Sequence, residues 1–177
     1  LSSKLGKYLP PQIHNALFSG QFDTGIATKR KKLTIFFSDI KNFTPSSEGL
    51  QPEDLTKYLN EYFSEMTDIA LTYGATIDKY IGDSIMVVFG APNDIDDHEL
   101  KAVECAIEMR DTLESLNDEW DQSEFSRFWK NHGIERVTAR TGIHSGSVIA
   151  GNIGSDRMLQ YSTIGDVVNV ASRMEKA

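Results

Sequence analysis

Two aspartates stand at points where the sequence otherwise has the apolar pattern of buried β-strands. Asp39 lies in Leu33-Thr-Ile-Phe-Phe-Ser-Asp-Ile40, and Asp83 lies in Asp78-Lys-Tyr-Ile-Gly-Asp-Ser-Ile-Met-Val-Val-Phe-Gly90. A carboxylate in such a setting is costly unless it is paired or binds a metal ion. Two neighbouring strands would hold both carboxylates at one edge of a sheet, where the hard cations Mg²⁺ and Mn²⁺ are suitable occupants. The pair therefore predicts a two-metal site of the kind used in phosphoryl transfer.

The residues around each aspartate favour this interpretation over a turn or helix-cap role, which either aspartate alone could fill. Asp39 is followed by Ile40-Lys-Asn-Phe-Thr44, a polar stretch whose backbone N–H groups could bind phosphates before a helix begins. Gly82 precedes Asp83 and permits a tight hairpin between the flanking strands. Asp83 is therefore expected at a hairpin tip that faces the end of the first strand.

Composition narrows the class of protein. A chain of 177 residues with 40% hydrophobic residues suits one α/β or α+β domain with its own core. The net charge of −8 argues against a nucleic-acid partner, because such binding needs clustered Lys and Arg. The one basic run, at 29–32, is interpreted as a solvated linker. The single cysteine, Cys105, excludes an internal disulfide and is interpreted as a small buried side chain in a reducing compartment.

The sequence shows no signal peptide and no stretch of the ~20 apolar residues that a membrane span requires. We expect a cytoplasmic domain, although a larger parent protein could be membrane-associated. Residues 4–19 predict a short helical lead that is broken at Pro10-Pro11, because Pro-Pro cannot lie inside a continuous helix. Residues 20–28 are polar and are predicted to form a loop.

Hydrophobic periodicity predicts an α+β domain with a ferredoxin-like βαββαβ core, in which the sheet carries helices on one face. The aromatic residues Trp120, Phe125, Phe128 and Trp129 are expected to pack onto the domain or a partner. The predicted order is a strand from Leu33, a helix over 51–73, strands over 76–81 and 84–89, a helix over 97–116, an irregular insertion over 117–133, strands over 137–144 and 148–153 joined by a turn at Ser145-Gly146, and a helix from Asp166.

Four motifs follow one another along the chain: Phe36-Phe-Ser-Asp-Ile-Lys-Asn-Phe-Thr44, Asp78-Lys-Tyr-Ile-Gly-Asp83, Arg140-Thr-Gly-Ile-His-Ser-Gly146 and Ile164-Gly-Asp-Val-Val-Asn-Val-Ala-Ser-Arg173. Together they resemble the class III adenylyl and guanylyl cyclase catalytic domain, from about Leu33 to the end of the chain. The lead around Pro10-Pro11 resembles the segment that joins regulatory domains to this domain in bacterial members. The resemblance implies a connector from an upstream regulatory domain over residues 1–28 and a catalytic domain over 29–177.

The resemblance also implies roles at the metal and phosphate sites. Asp39 and Asp83 fall on the two metal-binding aspartates for two Mg²⁺ or Mn²⁺ ions, with the backbone carbonyl of Ile40 as a further ligand. Phe43 and Thr44 fall on the loop that donates backbone hydrogen bonds to the nucleotide phosphates.

Five further positions are implied to contact the nucleotide. Lys79 falls on the purine-selecting position, where a lysine reads adenine and guanylyl cyclases usually carry glutamate, and Ser162 falls on its partner position. Guanine N1–H is a hydrogen-bond donor, and a lysine has no acceptor with which to bind it. Asn169 and Arg173 fall on the pair that orients the ribose and stabilises charge at the reacting phosphate, and their i, i+4 spacing puts them on one helix face. Arg140 falls on an arginine associated with phosphate binding or with the dimer.

Together these roles predict an adenylyl cyclase that converts ATP to 3′,5′-cyclic AMP and pyrophosphate at composite sites of a homodimer. A guanylyl cyclase and a non-catalytic, cyclase-like module for regulation or dimerisation remain as alternatives. A diguanylate cyclase or polymerase palm would share the core, but Tyr80-Ile-Gly-Asp-Ser84 lacks their hairpin signature. The resemblance implies a final strand pair with another phosphate-binding lysine. The chain stops at Ala177, and Lys176 is too close to Arg173 to be that residue.

The acidic segment at 94–99, which surrounds His98, could be interpreted as a metal site. An exposed N-terminal cap for the following helix explains it better.

Overall fold

The computed structural model describes residues 6–20 and 27–177, apart from the side chain of Phe125. Its helices are a 3₁₀ turn (Gly6–Tyr8), α1 (Pro11–Phe18), α2 (Phe43–Ser47), α3 (Pro52–Thr72), α4 (His98–Asp121), α5 (Phe125–Asn131) and α6 (Asp166–Lys176). Its strands are β1 (Thr28–Ile40), β2 (Thr76–Ile81), β3 (Ser84–Phe89), β4 (Ala139–Ser155) and β5 (Met158–Ile164).

The strands form one antiparallel sheet in the order β2-β3-β1-β4-β5. The path β1–α3–β2–β3–α4–β4 is the predicted ferredoxin-like βαββαβ core. The central strand β1 is apolar on both of its faces, as expected for a strand that is covered on both sides. Phe36 and Ile40 pack in the core cluster of α3 and α4, whereas Leu33, Ile35 and Phe37 belong to the cluster that includes Ala171 of α6.

The two core helices present regular apolar stripes to the sheet, and both lie on one face as predicted. Tyr58, Tyr62, Met66 and Ile69 of α3 are buried at spacings of three and four residues, which is the periodicity of a single helix face. In α4 the buried positions with the same spacing are Ala102, Cys105, Met109, Leu113, Leu116 and Trp120. Cys105 is therefore a buried core residue, as expected.

Helix α6 covers the opposite face, and it rests directly on the backbone of β4. A Cβ atom built on Gly142 would lie 2.3 Å from the carbonyl oxygen of Ala171 and 2.3 Å from the backbone nitrogen of Glu175. A Cβ on Gly146 would lie 2.7 Å from Cγ2 of Val167. The two glycines are four residues apart and so lie on the same face of the strand. They leave a track into which α6 fits.

This contact corrects the prediction of a turn at Ser145-Gly146. Strand β4 runs without interruption from Ala139 to Ser155, and its pairing with β1 passes through both residues. The glycine there serves helix packing, so it does not mark a chain reversal. The reversal follows Ser155, and strand β5, which the sequence analysis missed, pairs with the second half of β4.

The basic run at 29–32 is also different from the prediction of a solvated linker. Strand β1 begins at Thr28, so the run is paired with β4. Lys31 lies 2.6 Å from a carboxylate oxygen of Asp94, and Lys32 lies 3.4 Å from one of Glu99. The lysines therefore tie the start of β1 to the first turn of α4 and to the segment before it.

The predicted irregular insertion is mostly helical, since α4 continues to Asp121 and α5 follows. Trp120 and Trp129 are buried, and their rings lie 4.9 Å and 5.4 Å from the ring of Tyr58. The expectation that these tryptophans pack onto the domain is confirmed.

The N-terminal lead divides where the prolines predict. The 3₁₀ turn ends at Tyr8, and α1 begins at Pro11, the first helical position that proline tolerates. Ile13 is buried, and Gln12 Nε2 donates a 2.7 Å hydrogen bond to the carbonyl of Ala75. The predicted loop over 20–28 falls largely on residues 21–26, outside the described residues. None of the described helices is long and apolar enough to cross a membrane.

Candidate active site

Asp39 lies near the end of β1, directly across the ladder from Arg140 of β4. Arg140 Nε donates to Asp39 Oδ1 at 3.0 Å, and Arg140 Nη2 donates to Oδ2 at 2.6 Å. This fork-to-fork pairing is the strongest geometry available to a guanidinium and a carboxylate. The side chain of Asp39 is only 12% exposed, so the bonds compensate the cost of burying its charge. The same bonds raise the pKa of Arg140.

Asp83 lies at the tip of the β2–β3 hairpin, where Gly82 has a positive φ of 62°. The backbone N–H of Ile40 donates a 3.0 Å hydrogen bond to Asp83 Oδ2. The hairpin tip therefore faces the end of β1, as predicted. Asp83 is bonded to Ile40, the residue that follows Asp39 in the chain. Burial raises the pKa of Asp83, although hydrogen bonds from backbone N–H groups partly offset the effect, and the charge of Asp39 adds to it.

A third carboxyl group, Glu175 of α6, completes this cluster and was missed by the sequence analysis. Its side chain is 2% exposed, and Oε1 lies 3.6 Å from Arg140 Nη2. Burial raises the pKa of Glu175 to about 7, and hydrogen bonding to Asp39 and repulsion from its charge add to that rise. A signal was present, because Glu175 lies one helical turn after the buried Ala171. An acidic residue in an apolar helix stripe has the same meaning as one in an apolar strand.

The oxygen donors at this edge of the sheet suit Mg²⁺ or Mn²⁺. Among the described residues no group of three or more His, Cys, Asp or Glu side chains forms a ready-made metal site. Asp39, Asp83 and the Ile40 carbonyl would thus supply part of a coordination shell, and water and phosphate oxygens would complete it, as is usual for Mg²⁺. Each oxygen of Asp39 accepts one hydrogen bond from Arg140 and keeps a further lone pair, so a metal ion bound there would lie close to the positive guanidinium and be repelled by it.

The acidic segment at 94–99 is not such a site in the described structure, because Asp94 and Glu99 pair with lysines of β1. Asp97 occupies the N-cap position of α4, but its side chain makes no capping hydrogen bond.

The predicted phosphate loop lies next to the carboxylates. Asn42 has a left-handed backbone with φ of 58°, and α2 begins directly after it with Phe43 and Thr44. Backbone N–H groups in the first turn of a helix have no intrahelical partner. The ring of Phe43 stacks at 6.4 Å on that of Tyr58, which anchors the loop to the core.

The two residues predicted to contact the base lie on β2 and β5. The ladder of β2 shifts register between Ile77 and Lys79. The Lys79 side chain is 39% exposed, and its Nζ lies 4.0 Å from an oxygen of Asp78. Burial raises the pKa of Asp78. Ser162 and Asp78 line the same small cavity, so the fold brings β5 close to the residue that precedes Lys79.

Asn169 and Arg173 lie elsewhere. Both are exposed, whereas Ala171 and Glu175 of the same helix are buried against the sheet. The predicted ribose and phosphate residues thus point away from the carboxylate cluster of their own chain.

Comparison with known proteins identifies the family of this chain. The family model described as the adenylate and guanylate cyclase catalytic domain matches residues 26–177. Adenylate cyclase 1 of Rhizobium meliloti (strain 1021) is 34% identical over 169 residues, which are 95% of this chain and 24% of that protein. The chain spans about a quarter of the length of the first curated relatives that it matches.

Solved structures of adenylyl cyclases and of guanylyl cyclases share the fold of this chain. The adenylyl cyclase CyaB from P. aeruginosa is 42% identical with a TM-score of 0.71, and the match covers 85% of this chain and 74% of that one. The guanylyl cyclase Cya2 is 38% identical with a TM-score of 0.74, over 85% of this chain and 72% of that one. With its motifs, its βαββαβ core and the family match over residues 26–177, the chain belongs to the class III adenylate and guanylate cyclase catalytic domain family.

Proposed function

We propose that this domain is an adenylyl cyclase, which converts ATP to 3′,5′-cyclic AMP and pyrophosphate. The observation that carries the proposal is the junction of Asp39 and Asp83 through the 3.0 Å bond from Ile40 to Asp83. Two hard carboxylates are thereby fixed beside a polar loop, a combination that suits the metal-bound phosphates of a nucleoside triphosphate. Lys79, on the strand that leads into the same hairpin, would supply the base-reading donor to the site of a second chain.

In the proposed reaction the ribose 3′-hydroxyl attacks the α-phosphorus, and pyrophosphate leaves. Two divalent ions bound at Asp39, Asp83 and the Ile40 carbonyl would lower the pKa of that hydroxyl and neutralise the leaving group. The backbone N–H groups of Phe43 and Thr44 would hold the phosphates. The chain's own contribution is therefore positioning and electrostatic stabilisation, without a strong general base.

The remaining contacts would come from a second copy of the chain. Asn169 and Arg173 are exposed on the outer side of α6. Met174, the residue after Arg173, and Ile164, at the end of β5, are large apolar residues that are 50% and 53% exposed. Exposed apolar side chains of this size suit an interaction face. We propose a homodimer in which Lys79, Ser162, Asn169 and Arg173 of one chain complete the metal-bearing site of the other. Arg140 would then bind phosphate or support the dimer.

Adenine is favoured over guanine by Lys79. A lysine donates to adenine N1, but against guanine it leaves a buried donor facing a donor, a mismatch of about 1–3 kcal/mol. A guanylyl cyclase is the second candidate, because solved relatives of both kinds share the fold. A purely regulatory module is less favoured, because this chain has both aspartates and the Asn169–Arg173 pair. We also propose that residues 1–28 link the domain to an upstream regulatory domain.

The deciding experiment measures kcat/KM for ATP and for GTP with Mg²⁺ and with Mn²⁺ and identifies the cyclic product. A preference for ATP of at least about tenfold is expected. A preference for GTP would overturn the adenylyl assignment and would favour a guanylyl cyclase instead. The absence of either product from the full-length protein would favour the regulatory module.

A further inference from the structure

The guanidinium of Arg140 occupies the carboxylate that a metal ion needs. Its Nε and Nη2 atoms hold Asp39 Oδ1 at 3.0 Å and Oδ2 at 2.6 Å. Arg140 therefore acts as a counter-cation for Asp39, and its positive charge opposes the binding of a divalent ion at the same carboxylate.

A second acceptor for Arg140 lies within reach. Glu175 Oε1 is buried and has no hydrogen-bond partner among the described residues. It lies 3.6 Å from Arg140 Nη2, the nitrogen that bonds Asp39 Oδ2. A shift of roughly 0.7 Å would bring the two atoms to hydrogen-bond distance. Glu175 Oε1 is thus within ion-pair distance of Arg140 but makes no hydrogen bond, and a buried carboxyl oxygen without a hydrogen bond costs free energy.

The backbone fixes this second acceptor in place. The absence of a side chain at Gly142 lets the Glu175 backbone nitrogen approach β4 closely, since a Cβ there would lie 2.3 Å from that atom. Gly142 and Arg140 are two residues apart in the strand and so lie on one face of it. Glu175 is therefore held against the strand that carries Arg140.

We propose that Glu175 is a positioning residue that receives Arg140 when a divalent ion takes Asp39. Without metal, Arg140 holds Asp39 and neutralises it. With metal, Arg140 moves to Glu175, whose free oxygen accepts Nη2, and the guanidinium stays beside the bound phosphates. The inference rests on the proposed metal role of Asp39 and Asp83.

The first test measures Mn²⁺ binding without nucleotide, from the electron paramagnetic resonance signal of free Mn²⁺ in titrations of the full-length protein. Arg140→Gln should bind Mn²⁺ about tenfold more tightly than wild type, because the competitor is gone. Arg140→Lys keeps the charge but cannot make two parallel hydrogen bonds to Asp39, so its Mn²⁺ affinity should lie between those of wild type and Arg140→Gln. Arg136→Gln is the matched control, since the ion pairs of Arg136 within the described residues are with Glu114 and Asp118 of α4. Equal affinity in wild type, Arg140→Gln and Arg140→Lys would overturn the proposal.

The second test separates a positioning role from direct metal ligation by Glu175. Glu175→Gln should weaken Mn²⁺ binding about threefold, and this effect should shrink when Arg140→Gln is already present. A metal ligand would show an equal or larger effect in that background, which would contradict the proposal. The Nε–H resonance of Arg140, identified by its absence in Arg140→Gln, should shift during a Mg²⁺ titration and should reach a different end point in Glu175→Gln. A resonance that Mg²⁺ leaves in place would also contradict it.

Failure of the proposed function gives a different pattern. If Asp83→Asn leaves Mn²⁺ affinity unchanged in both wild type and Arg140→Gln, the metal assignment itself is wrong, and this inference falls with it. If binding depends on Asp83 but not on Arg140, the metal site stands and only the transfer of Arg140 is overturned.

Discussion

The two faces of the sheet are built in different ways. On one face large side chains of α3, α4 and α5 interlock with β1 and β3, and Tyr58, Trp120 and Trp129 form its aromatic centre. On the other face α6 rests on bare backbone at Gly142 and Gly146.

The difference shows how one sheet combines stability with a charged site. Side-chain packing fills the first face, mainly with apolar and aromatic groups. Backbone contact on the second face brings α6 close to β4, and the space beside the glycine track holds Asp39, Arg140 and Glu175. The first face is therefore expected to set the stability, and the second face the chemistry.

The largest effect is expected on the chemical side. Asp83→Asn should reduce cyclase activity by more than about a hundredfold, because metal charge stabilisation supplies several kcal/mol and each 1.36 kcal/mol is tenfold in rate. The fold should be retained, since burial already raises the pKa of Asp83 and so disfavours its charged form. Activity assays and circular dichroism together measure this. Asp39→Asn should also abolish activity, but it leaves Arg140 without its charged partner, so it is the less clean variant. Metal-dependent activity near wild type in Asp83→Asn would contradict the site.

The inner and outer sides of α6 can be separated by mixing two inactive variants. Asp39→Ala damages the carboxylate cluster, and Arg173→Ala damages the exposed side of the helix. If the sites are composite, random heterodimers have one intact site, so an equal mixture should regain about a quarter of wild-type activity. Mixing either variant with itself is the control. No recovery, with heterodimers shown by cross-linking, would place each site within one chain.

Much of this arrangement could be predicted from the sequence, because its signals are local. Asp39 and Asp83 interrupt apolar sequence patterns, and Gly82 marks the β2–β3 hairpin that carries Asp83. The pairing of Asp39 with Arg140 could not be predicted, since it depends on the register of two strands separated by about a hundred residues. The prediction of a turn at Ser145-Gly146 was wrong because a strand glycine that leaves room for a packed helix cannot be told from a turn glycine by sequence alone. The contact that explains Gly142 belongs to α6, whose position only the fold reveals.

Substitutions on the two faces should separate stability from activity. Phe89→Ala, a fully buried core position at the end of β3 away from the hairpin tip, should lower the free energy of unfolding by about 3–5 kcal/mol through loss of core packing, while the folded fraction keeps its kcat. Gly142→Ala should lower it by about 1–3 kcal/mol and also reduce kcat, because α6 has to move away from β4. A full urea unfolding curve gives the free energy of unfolding, and steady-state rates without urea give kcat. A Gly142→Ala variant with wild-type kcat would show that the position of α6 does not matter to the site.

The smallest effect concerns the pH dependence of stability on the charged face. Burial raises the pKa of Glu175 in the folded state to about 7, from its ordinary value of 4.5. Between these values the folded state binds more protons than the unfolded state, so stability should fall as the pH rises from 4.5 to 7 and should level off above 7.

Thermal unfolding with chelator present, at a series of pH values, measures this as the difference in Tm between wild type and Glu175→Gln. Glu119→Gln, an exposed position on α4, controls for the loss of one charge. Wild type should lose its advantage over Glu175→Gln as the pH rises. Added Mg²⁺ should reduce the slope, because a guanidinium that moves to Glu175 stabilises the charged carboxylate and lowers its pKa. A Tm difference independent of pH would mean that Glu175 titrates alike in both states, and the carboxyl would then be less confined by α6 and β4 than its 2% exposure indicates.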